Sequence, residues 1–312
     1  PEVRFPEVKI IEQQPVEIAK DKQIIDKLVA IATGGDPKHR KGFSSSSLTT
    51  YVRNPIDFYQ QQILDIRDDA EVEEIVEDRS LGTIIHRILE LLYQDYEDKV
   101  ISKQDIDKIR KDVAETTKTV FKEYQKNEEI AGKNIFVQRT IEEYVMKFLD
   151  IDQRNVSNNV VKLLYLEEKI QIDVQYDDFP FPIRFNGTID RVEQRGEDIY
   201  IVDYKSGIVE KGQVALNEKK WENLIVDYDY SKAFQLLMYA YLLFKTGMIG
   251  EDKRVYVGNY SFRRLKLGFI GFRNGKDKDI SPVDTHVRDA FEQKLIQLLK
   301  EIYDPALPFV EK

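Results

Sequence analysis

The chain has 312 residues, 42% hydrophobic and 33% charged, with a formal net charge of −9, enough for one large domain or two small ones around a real core. It has no cysteine, which excludes disulfides, thiol catalysis, zinc–thiolate sites and iron–sulfur clusters, and no run approaches the roughly 18 apolar residues of a membrane span. The acidic balance argues against a protein that coats nucleic acid indiscriminately, although a nuclease needs only local positive charge. The opening PEVRFPEVKI lacks a basic region followed by an apolar one, so no secretory signal is read and a cytoplasmic location is expected. A start at Pro1 instead of Met reads as a piece of a longer protein.

Residues 1–42 read as an extension and linker with one short helix, Gln23 to Ala32, ended by Thr33-Gly-Gly-Asp-Pro37. Phe43-Ser-Ser-Ser-Ser47 is a helix start signal, and the apolar stripe that follows is interrupted at Asn54-Pro55. Leu81, Ile84, Ile85, Ile88, Leu89 and Leu92 recur at helical spacing, which predicts a mostly buried helix to about Tyr96. A charge-laced helical insertion follows, over about 96–160. Val161 to Val174 alternates as a strand, and two more strands are expected at about 183–193 and 198–204. Residues 231–245 read as a buried helix, 254–262 and 267–272 as strands, and 286–303 as a closing amphipathic helix. The order predicts a mixed α/β core in one unit over 43–312.

The most informative stretch is Phe185 to Gly207. Asp190 ends one strand, Arg195-Gly196-Glu197-Asp198 forms a turn, and Ile199 to Val202 leads into Asp203-Tyr204-Lys205. Two acids thirteen residues apart suit a hairpin that sets them side by side. Two carboxylates and an ammonium at one point are what metal-assisted phosphodiester hydrolysis requires. The acids hold a hard cation through oxygen, the cation activates water and neutralises phosphate charge, and the lysine orients the water or stabilises developing negative charge. Three further motifs could serve this pair. Gly82, His86 and Glu90 recur every four residues on one helical face, and the glycine admits another backbone. Gln235 and Tyr239 share a face of the later helix. Glu167-Glu168 enters the strand before Asp190, and alternation lets only one of the two point at the site; parity with Ile170 and Ile172 favours Glu168.

Taken in order, Gly82-x3-His86-x3-Glu90, Gly187-x2-Asp190-Arg191, Asp203-Tyr204-Lys205-x-Gly207 and Gln235-x3-Tyr239 resemble the RecB-type nucleases of the PD-(D/E)xK superfamily, over about 43–241. Residues 44–59 look like the opening of the nuclease domain in AddB-type helicase–nuclease subunits. The resemblance implies a restriction-endonuclease-like fold and a DNA exonuclease of a larger repair and recombination protein, with a helicase domain or partner subunit. It implies His86, Asp190, Asp203 and the Tyr204 carbonyl as ligands of Mg²⁺ or Mn²⁺, Lys205 as the catalytic lysine, and Gln235 and Tyr239 over the site. Glu90, Glu168 and Arg191 would support these. In many of those domains a cysteine before the proline helps hold an iron–sulfur cluster. Asn54 stands there in this chain, so the cluster must be absent and another packing solution must tie the domain's ends.

Blander readings stand beside these. A lone histidine in an apolar helix is ordinarily a hydrogen-bonded core residue, and Gln235 and Tyr239 could be satisfied core polar groups. Arg263-Arg264-x-Lys266 reads equally as a solvated turn or a phosphate contact, and Lys219-Lys220-Trp221 as an anchored loop or a stacking site. A non-catalytic DNA-binding or scaffold domain is the rival from another class.

Overall fold

The computed structural model describes residues 14–38, 40–66, 78–124, 132–217, 219–275 and 279–312. The first part of the expected N-terminal extension, with PEVRFPEVKI, and a short stretch of the expected insertion lie outside them.

β1 (Glu17–Ile18) precedes α1 (Lys22–Ala32), where the Asp21 side chain accepts from the Ile24 amide as N-cap. β2 (Phe43–Ser44) runs into α2 (Ser45–Arg53) through a capping box between Ser44 and Ser47, the start signal read from the serine run. Asn54 ends α2, and its side chain accepts from the Ile56 amide to open α3 (Pro55–Phe58), with Pro55 in the first turn. Then come α4 (Asp78–Tyr93), β3 (Val100–Ile101), α5 (Lys103–Tyr124) and α6 (Lys133–Asn158). The long strands β4 (Val161–Val174), β5 (Ile183–Arg195) and β6 (Asp198–Lys205) follow. The rest is β7 (Ala215–Leu216), α7 (Ser231–Lys245), β8 (Val255–Ser261), β9 (Ile270–Gly271), β10 (Arg273–Asn274), α8 (Thr285–Tyr303) and β11 (Phe309–Val310).

The main sheet is ordered β3-β4-β5-β6-β8-β9, with β2 pairing β5. β4, β5 and β6 are antiparallel neighbours, whereas β6 and β8 run parallel. A parallel pair needs a crossover, which α7 supplies. This is the restriction-endonuclease-like mixed α/β core expected from the sequence.

An apolar cluster lies on each face of the sheet, which is what a two-sided sheet must have to be buried. One joins α1, α2, α3, α7 and α8, the other α4, α5 and α6. β6 serves both: Ile199 and Ile201 enter the first, Val202 and Tyr204 the second. Ile24, Leu28 and Ile31 of α1 are buried in the first cluster, so that helix packs into the body of the fold. The strand expected at 267–272 is cut short: Phe262–Leu267 forms 3₁₀ turns and Gly268 takes φ +65°, leaving only β9.

The ends of the described chain are tied by packing. β1 pairs with β11, Phe309 lies against the rings of Tyr51, Phe58 and Tyr59, and Lys312 Nζ donates to the Val52 carbonyl at 2.8 Å.

Candidate active site

The β5–β6 hairpin closes through a two-residue turn in which Gly196 takes φ +63°, the positive φ such turns demand. The pairing Arg191↔Val202 sets Asp190 beside Asp203. Asp190 Oδ2 accepts from the Tyr204 amide at 2.6 Å. Asp203 is 1% exposed; it receives Lys205 Nζ at 2.7 Å and Asn259 Nδ2 at 2.6 Å. Asn259 arrives because β6 and β8 pair in register, Asp203↔Asn259. Lys205 Nζ also donates to Gln235 Oε1 at 2.8 Å, and Gln235 Nε2 donates to the Tyr239 hydroxyl at 2.6 Å. Asp203, Lys205, Gln235 and Tyr239 thus form one chain of hydrogen bonds linking β6 to α7.

α4 closes the other side. His86 Nε2 donates to the Tyr204 carbonyl at 3.0 Å, and its Nδ1 lies 3.3 Å from Glu167 Oε1 and 3.4 Å from Asp190 Oδ1. Gly82 permits the approach, since a Cβ there would stand 3.2 Å from Ser206 Oγ, just past the lysine. Gly187 does the same for α7: a Cβ would meet Leu242 at 2.9 Å.

Glu167 takes the place expected for Glu168. Its φ is +45°, a left-handed conformation that costs a non-glycine residue free energy and concentrates at functional sites. The kink breaks strand alternation. Tyr165 and Ile170, an odd number of residues apart, pack into the same cluster, and so do Ile189 and Val192 on β5 opposite. Parity counted from Ile170 therefore fails at Glu167, the residue turned toward Asp190.

These groups line an open cavity of about 750 Å³. His86, Glu167 and Asp190 each offer a ligand atom within 4.8 Å of the others; Asp203 stands beside them, held by Lys205 and Asn259. Burial raises the Asp190 pKa, and Asp203 and Glu167 raise it further against the pull of His86. Burial opposes charge on His86, but Asp190 and Glu167 outweigh it and push its pKa up to about 11. Burial likewise opposes charge on Lys205, and Asp203 and Asp190 overcome it, leaving the pKa above the usual lysine value. Three carboxylates thus converge on Lys205 and His86, with Lys232 lining the same cavity. Carboxylate oxygens with one imidazole nitrogen are a donor set for Mg²⁺ or Mn²⁺, and the surplus of negative charge fits such an ion.

Glu90 lines the cavity rim, where it accepts from Arg87 at 2.8 Å. Arg191 does not line it. Arg191 is 2% exposed and donates to Asp152 of α6 at 2.7 Å, with Glu193 as its second partner, because its place on β5 points it at α4–α6. Arg264 pairs with Glu210 at 2.7 Å. Trp221 Nε1 donates to Asn274 at 3.1 Å, which makes its loop an anchored one. Sequence reasoning missed Asn259 and Lys232, the latter a lining residue of the cavity. An asparagine in the apolar run Val255–Ser261 was the visible signal for the first; nothing marked the second.

An acidic pocket with an adjacent lysine, on a mixed sheet crossed by α7, suits a metal-dependent nuclease. The chain belongs to the PD-(D/E)XK nuclease superfamily, whose profile matches residues 42–312. No curated protein matches the chain.

Proposed function

We propose that this is a DNA nuclease of the RecB-like branch, working as an exonuclease of low sequence specificity within an AddB-type helicase–nuclease of repair and recombination. The observation that carries the reading is the convergence of Glu167, Asp190 and Asp203 with His86 and Lys205 in one open cavity. We take residues 43–312 as the nuclease unit, with α1 and β1 packed onto it, and the cytoplasm as its place of work. Among the described residues, no helix is long and apolar enough to cross a membrane.

His86, Glu167 and Asp190 would hold Mg²⁺ or Mn²⁺, with Asp203 and the Tyr204 carbonyl adjoining. The ion would supply an acidified water and charge neutralisation at the phosphate. Lys205 keeps its proton at neutral pH, because Asp203 and Asp190 stabilise the ammonium. It therefore supplies a positive charge toward the reacting phosphate. Asp203 and Gln235 orient it from two sides, and Tyr239 holds Gln235.

The test is incubation with linear single- and double-stranded DNA in Mg²⁺, Mn²⁺ or EDTA. Metal-dependent degradation that vanishes in Asp203→Ala and Lys205→Ala is the expected result. Cleavage in EDTA, or cleavage that survives both substitutions, would defeat the mechanism.

A further inference from the structure

Lys232 lines the same cavity as His86, Asp203 and Lys205, from the first turn of α7. It is half-buried, and among the described residues it makes no ion pair or hydrogen bond. A cation in the first turn of a helix meets the positive end of the helix dipole; burial followed by the neighbouring Lys205 holds its pKa below the usual lysine value, against the pull of Asp229 and Asp203. The other basic residue lining this rim, Arg87, is already paired with Glu90 at 2.8 Å.

Position indicates what Lys232 awaits. It is an ammonium lining the cavity that holds Asp203 and Lys205, bonded to no carboxylate among the described residues, and a phosphodiester carries one negative charge.

We propose that Lys232 is a substrate-binding residue that grips a phosphate of the nucleic-acid strand, next to the one attacked at Lys205. This rests on the nuclease reading above and names the group that holds the strand in register. Phosphate contacts of this kind position a strand without reading its bases, which is what an enzyme indifferent to sequence requires.

The experiment compares wild type, Lys232→Gln, Lys232→Arg and, as a control on the far helix α5, Lys118→Gln. A single-stranded oligonucleotide is cleaved in Mg²⁺ at a series of salt concentrations, and its binding is followed by fluorescence anisotropy with Ca²⁺ in place of Mg²⁺. Melting curves establish that each variant is folded. Lys232→Gln is expected to raise KM about tenfold, with most of the loss in KM and not kcat. It should also flatten the slope of log binding constant against log salt by about 0.7, the value for one phosphate contact on a single strand. Lys232→Arg should restore the slope, and Lys118→Gln should match wild type. A folded Lys232→Gln enzyme with wild-type KM and salt slope overturns this inference alone. A wild type that neither binds nor cuts overturns the nuclease reading with it.

Discussion

Asp190 and Arg191 are neighbours on β5, and each is the centre of a buried ionic cluster. Around Arg191, two guanidiniums and two carboxylates match: Arg191 with Asp152 and Glu193, Arg195 with Glu193 at 2.5 Å, and the Tyr93 hydroxyl donating to Asp152 at 2.6 Å. Around Asp190 the acids outnumber the bases. Buried charges are tolerated where they are paired and hydrogen-bonded. The matched cluster is therefore complete in the folded chain, pinning α4 and α6 to the sheet. The unmatched one has room for a cation, which is what the proposed nuclease reading assigns to it. Adjacent residues of one strand thus sit in ion clusters that differ in their charge count.

The widest separation should come from single substitutions in the two clusters. Arg191→Ala leaves the buried Asp152 with no cationic partner and Glu193 with Arg195 alone, and should destabilise the fold by about 3–5 kcal/mol, read from denaturant melts. Asp190→Asn removes one of three mutually repelling acids. It should leave the metal-free protein as stable as wild type or more so, while cutting nuclease activity by about 10³-fold or more, at or beyond the upper end of what loss of one transition-state contact costs. A large stability loss in Asp190→Asn would erase the distinction.

Next in size is the response to cations. At about one hundred times its dissociation constant, Mn²⁺ should stabilise the protein by about 2.7 kcal/mol, a rise in melting temperature on the order of 5 °C. Glu167→Gln should abolish most of that rise and Glu168→Gln should not, a direct check on the kinked residue.

The pH response is smaller. With its pKa pushed up to about 11, metal-free His86 is protonated throughout the neutral range. An ion must displace that proton, so affinity for Mn²⁺ should strengthen with pH by up to about tenfold per unit between pH 6 and 8. Calorimetry in buffers of different ionisation enthalpy would count the proton released. The sign reverses for the fold without metal. A raised histidine pKa stabilises the folded state fully below the ordinary value of 6.5, and this contribution fades as pH climbs toward about 11.

The smallest expected effect is at Gly82. Gly82→Ala gains helix propensity but pushes on Ser206 Oγ, so stability should change by less than about 1 kcal/mol. The wider gap between α4 and the Tyr204 carbonyl should weaken Mn²⁺ binding severalfold, measured by titration.

The hairpin and α7 were legible because strand alternation and an apolar helix leave strong local signals, and the spacing of Gly82, His86 and Glu90 marked one helical face. What escaped depended on long-range geometry. Asn259 reaches Asp203 through a parallel register set across the α7 crossover, and no local pattern encodes that. Glu167 escaped because alternation assumes an unkinked strand. Arg191 entered as a supporting residue through the Gly187-x2-Asp190-Arg191 motif of the resemblance, while its partner Asp152 lies on a helix whose docking cannot be read from spacing.

The two-residue turn at Gly196 has a consequence for how the chain reaches this state. A hairpin slipped by one residue turns every side chain to the opposite face. On β5 that would carry Arg191 and Glu193 away from Asp152 and turn Asp190 away from His86. A slipped pairing would thus leave Asp152 buried without its cation, so the ion pair on one face and the site on the other favour the same alignment.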